Sequence, residues 1–155
     1  MPTGRVRLRP PRVMVSGTGR AGSALAAADA VRATRHVLRG ERARGASVSV
    51  RFLTVQEMRA LNRRALGRDR ATDVIAFRLA HAGGLVADVY VCPGVARRAA
   101  RQVGASRREE ELRLVVHGVL HALGHRHPEG PGRTRSAMWQ LQERYVAALT
   151  RPGRA

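Results

Sequence analysis

The sequence predicts a single α+β domain, a small mixed β-sheet packed with about five helices. Three observations lead there. At 155 residues with 44% hydrophobic side chains, the chain is long enough for one buried core, and aromatics at 3% leave that core to Val, Leu and Ala. Runs of apolar–polar alternation are interspersed with runs at helical spacing, and two β-rich runs follow each other across a glycine turn, which argues for a mixed sheet over a purely parallel one. Four of the six histidines fall within 117–127, beside a glycine that ends a helix pattern.

In chain order, 1–11 reads as a loose basic tail with four prolines or glycines among its arginines, and 12–150 as the domain. Residues 12–16 form a short first strand. Residues 23–39 form a helix, with Leu25, Ala28, Val31 and Val37 among its buried candidates and Gly40 just past its end. Residues 47–53 alternate as a half-buried strand does, and 55–66 is helical in pattern, stopped by Gly67. The β-rich runs 72–79 and 85–92 are joined by a turn at His81-Ala82-Gly83-Gly84, and 95–103 is a short helix closed by Gly104. The strongest helix signal follows. Ser106 and Glu109 form a capping box, and Glu110 and Glu111 lie near the positive end of the helix dipole. Leu112, Val116, Val119 and Leu123 mark its buried stripe, which Gly124 ends. A Pro/Gly loop over 128–132 leads to a last helix over 134–149. The sequence carries no internal repeat and no domain linker.

The formal net charge is +18, and every basic residue is arginine. An all-arginine set is also what a GC-rich genome yields, but a pI near 12.0 favours contact with a polyanion. The aromatics Phe52, Phe77, Tyr90, Trp139 and Tyr145 are too few for base stacking to dominate, so nucleic-acid binding should lean on phosphates and depend strongly on salt. A single Cys92 rules out an internal disulfide and suits a reducing compartment. No apolar stretch reaches the ~20 residues of a membrane span, and the apolar segment after the basic start is interrupted by Ser16, Gly17 and Arg20, a poor secretory signal. Cytoplasmic residence with no membrane partner is the expectation.

The chemistry is concentrated in His117-Gly118-Val119-Leu120-His121-Ala122-Leu123-Gly124-His125-Arg126-His127. His117 and His121, four apart, share one helix face. Gly124 lets the chain turn so that a third imidazole swings back. His127 has the longer reach and is the favoured third ligand, with His125 the alternative. Three histidines and one open position describe a catalytic zinc site, one Zn²⁺ per chain. The spacing matches the metzincin proteases, but Gly118 stands where their general-base glutamate would be, which argues against a protease.

This segment resembles the signature of the YbeY family of rRNA-maturation endoribonucleases, His-Gly-x-Leu-His-Leu-x-Gly-Tyr-Asp-His, and matches it at His117, Gly118, Leu120, His121, Gly124 and His127. Leu61-Asn62, Asp69 and Thr72-Asp73-Val74-Ile75-Ala76-Phe77 are similar to a second family block, and Ala87-Asp88-Val89-Tyr90-Val91 to a third. Met138 also falls where the family tends to place a methionine, so the likeness spans about 47–149. It implies a zinc-dependent, single-strand-specific endoribonuclease that matures the 3′ end of small-subunit rRNA and takes part in ribosome quality control. Single-stranded RNA and the small ribosomal subunit or its proteins would be its partners. Two positions depart from the pattern. Ala65 and Leu66 occupy the places of the family's Tyr-Arg, whose arginine serves RNA cleavage, and His125-Arg126 replaces its Tyr-Asp.

The expected basic group is then supplied by Arg64 or Arg68, which with Arg70 would line the RNA groove and hold phosphate oxygens bidentately. Asp69 and Asp73 are candidates for orienting ligands or arginines, and Asp73 is taken with Arg64 and Arg68 as catalytic. Two other readings stay open: a zinc hydrolase acting on another phosphoester or an amide, and a catalytically weak ribosome assembly factor, which Leu66 would favour.

Overall fold

In the computed structural model, which describes residues 9–79 and 84–153, four strands make one sheet. They are β1 (Arg12–Ser16), β2 (Ser47–Phe52), β3 (Val74–Leu79) and β4 (Val86–Val91). Their spatial order is β1-β2-β4-β3. β1 and β4 both run parallel to β2, and β3 is antiparallel to β4 with Leu79 opposite Val86. The sheet is therefore mixed, as the adjacent β-rich runs imply. Residues 80–83, most of the expected turn, lie outside the described residues, as does 1–8 of the expected tail.

Five α-helices accompany the sheet: α1 (Ala27–Gly40), α2 (Val55–Leu66), α3 (Pro93–Val103), α4 (Arg107–Ala122) and α5 (Ala137–Thr150). Strand alternation sends Val48, Val50, Phe52, Ala87, Val89 and Val91 to one face, where they are buried with α1 and α4. On the other face α2 covers a smaller cluster of Met58, Ile75 and Cys92. Cys92 is buried as an apolar residue would be.

The helix signals differ from the structure in instructive places. α1 starts four residues later than the apolar pattern suggests. Ala28 is exposed and Val31 half-buried, while Ala30, Ala33, Thr34, Val37 and Leu38 form the buried face. The reason lies in Glu111. It is fully buried, and its carboxylate accepts hydrogen bonds from Ser23 Oγ at 2.6 Å, Ala24 N at 3.1 Å and Leu25 N at 3.0 Å. Those bonds hold 23–25 in a turn ahead of α1. Ser106 does cap α4 by accepting from Glu109 N at 3.3 Å, but the Glu109 carboxylate bonds Arg113 at 3.0 Å, so the reciprocal half of the capping box is not made. The last helix begins at Ala137, capped by Ser136, after a 3₁₀ turn over Gly130–Arg135.

α4 is the axis of the fold. It buries far more than a stripe: Leu112, Leu114, Val115, Val116, His117, Gly118, Val119, Leu120 and Ala122 are all buried against α1, α3, α5 and strands β3 and β4. Gly118 makes that approach possible, since a Cβ there would lie 2.5 Å from Val89 Cγ1 and 3.0 Å from Val74 Cγ2. The same crowding excludes a glutamate at this position.

Replacing Glu111 by Ala should cost about 2 kcal/mol, because Ala24 N loses its acceptor while the Leu25 N–H and the Ser23 hydroxyl keep only their bonds within the turn. A urea titration checks this, and a midpoint equal to wild type would refute the role given to Glu111.

Candidate metal centre and its clefts

The three histidines converge for reasons readable in the backbone. His117 and His121 stack one turn apart on α4. Gly124 then adopts φ 98°, a left-handed conformation that favours glycine, and Gly124 N and His125 N donate back to His121 O and Leu120 O. This reversal returns His127 to the helix end. Nitrogens of His117, His121 and His127, one per ring, lie within 4.8 Å of one another.

Each ring is fixed by its other nitrogen. His117 Nδ1 lies 2.6 Å from Gln142 Oε1, His121 Nδ1 3.0 Å from His125 O and His127 Nδ1 2.9 Å from Pro128 O. All three partners are oxygen acceptors, so each Nδ1 carries the proton and each Nε2 presents a lone pair. His121 Nε2 and His127 Nε2 stand 3.1 Å apart. Two lone pairs at that distance repel each other unless a shared proton or a metal ion lies between them. Tetrahedral Zn–N bonds would separate such nitrogens by about 3.3 Å, so the donor set fits a metal ion. Burial pushes His117 down to about 4, against the Gln142 bond that favours its charged form. Burial, aided by His127, lowers His121 as well. Both imidazoles are thus held neutral, as ligands must be.

His125 turns away from the cluster. Its Nε2 lies 2.8 Å from Glu41 Oε2, and Tyr145 Oη donates to Glu41 Oε1 at 2.7 Å. Burial raises Glu41, but the bonds from Tyr145 and His125 outweigh it and leave the carboxyl lowered. Gly40 has no side chain because Tyr145 occupies that space. The network ties the loop after α4 to α1 and α5, and it gives the third place in the cluster to His127.

Two clefts border the histidines. One, of about 340 Å³, reaches His121 and is lined by Arg68, Arg70, Arg78 and Arg126 with no acidic side chain. The other, of about 270 Å³, reaches His117 and is lined by Asp73, Arg133 and Trp139 among others. Arg68 and Arg70 therefore stand where the sequence places them, beside the cluster, and Asp73 borders it from the opposite cleft. Arg64 does not share either cleft. It points into a separate groove with Arg20, Arg51 and Tyr90, on the far side of α2, because Arg64 and Leu66 project from different faces of that helix. Asp69 is taken up by Arg59, at 2.9 and 3.0 Å, and orients no histidine. Asn62, which the second sequence block includes, donates to Arg70 O at 2.8 Å and so holds the arginine-bearing loop.

Arg78, Arg126, Arg133, Gln142 and Glu41 were not singled out by the sequence. Arg126, between two histidines, carried a signal. Gln142 sits 25 residues from the ring it orients, with no pattern linking them.

Comparison with known proteins assigns the chain to a family. The family model described as endoribonuclease YbeY matches residues 23–150. The chain belongs to the YbeY family. A YbeY endoribonuclease of Aquifex aeolicus is 34% identical over 107 residues, 67% of this chain and 71% of that one. Another, of Halorhodospira halophila, is 35% identical over 116 residues, 70% and 74% of the two chains. The solution structure of TM1509 from Thermotoga maritima aligns with TM-score 0.57 and 27% identity over 90% of this chain and 88% of that one. At the place of the YbeY arginine, Leu66 is exposed and lines the four-arginine cleft, so its neighbours there are Arg68, Arg70 and Arg126.

Two outcomes follow. Gln142→Leu should weaken metal binding by roughly 10- to 100-fold in a chelator competition, since His117 loses the acceptor that sets its tautomer. In metal-free protein, His117 titrates near 4 when folded and near 6.5 when unfolded. Protons then bind the unfolded chain first, and stability is full above pH 6.5 and falls by about 3 kcal/mol toward pH 4. Denaturation midpoints across that window test it, and His117→Asn should flatten the slope.

Proposed function

We propose that this protein is a zinc-dependent, single-strand-specific endoribonuclease acting in rRNA maturation at the small-subunit 3′ end and in ribosome quality control. One observation carries the reading: three imidazole lone pairs converge beside a cleft whose charged lining is wholly arginine. The endoribonuclease name shared by the relatives supports it. The catalytic domain is assigned to 12–150 and the basic tail to 1–11. RNA and the small ribosomal subunit or its proteins are the proposed partners, in the cytoplasm. Among the described residues no helix is long and apolar enough to cross a membrane.

His117, His121 and His127 would hold one zinc ion, which when bound supplies Lewis acidity and lowers the pKa of a water molecule to about 7. The remaining work belongs to the chain's own side chains. Arg68 and Arg70, with Arg78 and Arg126, hold the phosphodiester and meet the charge that grows on its equatorial oxygens. Guanidinium groups suit this, because each offers two parallel N–H donors to one phosphate. Asn62 keeps Arg70 in register through its backbone. Arg113 is no part of this, as Glu109, Glu110 and Glu143 surround it at 2.7–3.0 Å. Arg64 binds RNA outside the scissile phosphate, from its own groove.

The test pairs elemental analysis of purified protein with cleavage of a defined single-stranded RNA. Stoichiometric zinc, cleavage abolished by chelator and restored by zinc, and loss of cleavage in His117→Ala are expected; cleavage that persists without metal would overturn the reading. Arg68→Ala combined with Arg70→Ala should lower cleavage by at least about 100-fold. It should also reduce the slope of log affinity against log salt by about 1.4. Arg64→Ala should lower the salt slope by about 0.7 and leave the cleavage step intact.

A further inference from the structure

The two clefts beside the histidines differ in chemistry. The cleft on the His121 side presents four arginines and no carboxylate. The cleft on the His117 side contains Glu110 and Arg113, which neutralise each other at 2.9 Å. Besides His117, Gln142 and the Thr134 hydroxyl, that leaves the Trp139 indole, Arg133 and Asp73 to meet a ligand there. Trp139 is half-buried, and its backbone N–H bonds Ser136 Oγ at 3.2 Å, in the first turn of α5. It lies one turn before Gln142, the residue that orients His117, so one helix face carries both.

Arg133 lies over the indole, with its guanidinium carbon 5.9 Å from the ring centroid. Its Nε is buried and has no hydrogen-bond partner. Asp73 accepts from Val74 N at 2.8 Å and from Thr72 Oγ1 at 3.5 Å through Oδ1 alone; among the described residues Oδ2 accepts nothing. A flat π surface and an unused carboxylate oxygen do not suit a phosphate, which Asp73 would repel. They suit a planar ring that carries an exocyclic amine.

We propose that this cleft is a base-binding subsite, in which Trp139 stacks an unpaired nucleobase next to the phosphate held by the arginine cleft. Asp73 Oδ2 accepts from the exocyclic amine of that base, which stacks on the indole face that Arg133 does not cover. Cytosine, adenine and guanine, which carry an exocyclic amine, are thereby preferred over uracil. The subsite explains how a chain with five aromatic residues distinguishes single strands, since a paired base cannot reach Trp139. It rests on the nuclease reading above and deepens it.

Trp139 is the one tryptophan of the chain, so its fluorescence reports the subsite directly. Zinc-loaded protein is titrated at low temperature, before turnover, with oligocytidylate, oligouridylate and an abasic ribose-phosphate oligomer, and affinity is read in parallel by competition with a labelled RNA. The base-bearing oligomers should quench the indole and the abasic one should not, although it still competes. Trp139→Leu should weaken oligocytidylate binding by roughly 5- to 100-fold, and Trp139→Tyr should restore most of it. Asp73→Asn should abolish the preference for cytosine over uracil. If oligocytidylate binds without quenching, or binds Trp139→Leu as tightly as wild type while cleavage continues, the subsite is refuted and the nuclease reading stands. If no oligomer binds or is cleaved, both are refuted.

Discussion

Imidazole rings whose Nε2 atoms face one another at 3.1 Å form an arrangement that a folded chain must impose. The constraint is met ring by ring. One nitrogen of each histidine is committed to an oxygen acceptor, and the acceptors come from three different places: a side chain on α5, the turn after α4 and the backbone of Pro128. Removing any acceptor frees a ring to rotate or to change tautomer. Much of the molecule serves this arrangement. α4 must lie close to the sheet for His117 to be buried, and Gly118 is what permits it. α5 must lie alongside α4 for Gln142 to reach His117, and Arg113, bonded to Glu143 at 2.7 Å, fastens the two helices together.

The loop after α4 is under a similar constraint. His121 depends on a carbonyl of that loop and His127 rides on it, so any change in loop path moves two of the three nitrogens. Gly124 sets the direction of the turn, and the His125–Glu41–Tyr145 network anchors it to two helices. His125 is therefore a positioning residue for the centre although it contributes no nitrogen to it. The position occupied by tyrosine in the YbeY signature here holds an imidazole, and its partner Glu41 is a carboxylate held below its ordinary range.

How much of this was legible in the sequence follows from which interactions are local. The i, i+4 histidines, the glycine turn and the stop at Gly67 depend on neighbours within a few residues, and each could be read. The sheet's mixed character was readable from two adjacent β-rich runs. The late start of α1 was not, because it depends on Glu111, 86 residues beyond the Leu25 N–H that it binds. Sequence position suggested that Glu111 served the helix dipole; burial gave it another task. Arg64 and Arg68 read alike as basic residues near Leu66, yet they fall in different clefts, since one lies on the helix and the other past Gly67, where the chain has turned.

The arginine-rich composition and Leu66, which stands where the YbeY pattern carries an arginine, bear on each other. A phosphate in the cleft responds to the sum of the nearby charges, and at an effective dielectric constant of about 20 a guanidinium 4 Å away contributes about 4 kcal/mol of attraction whichever residue carries it. With Arg68, Arg70, Arg78 and Arg126 around one cleft, the field at the phosphate does not depend on any single backbone position. What does depend on position is alignment of the paired N–H donors with the phosphate oxygens, and that requires a held backbone. Asn62 supplies this by binding Arg70 O from a buried site on α2. Leu66 can therefore stand in the arginine's place as an apolar wall while the guanidiniums approach from the loop that follows. The charge requirement is met by composition, and the geometric one by a single buried amide.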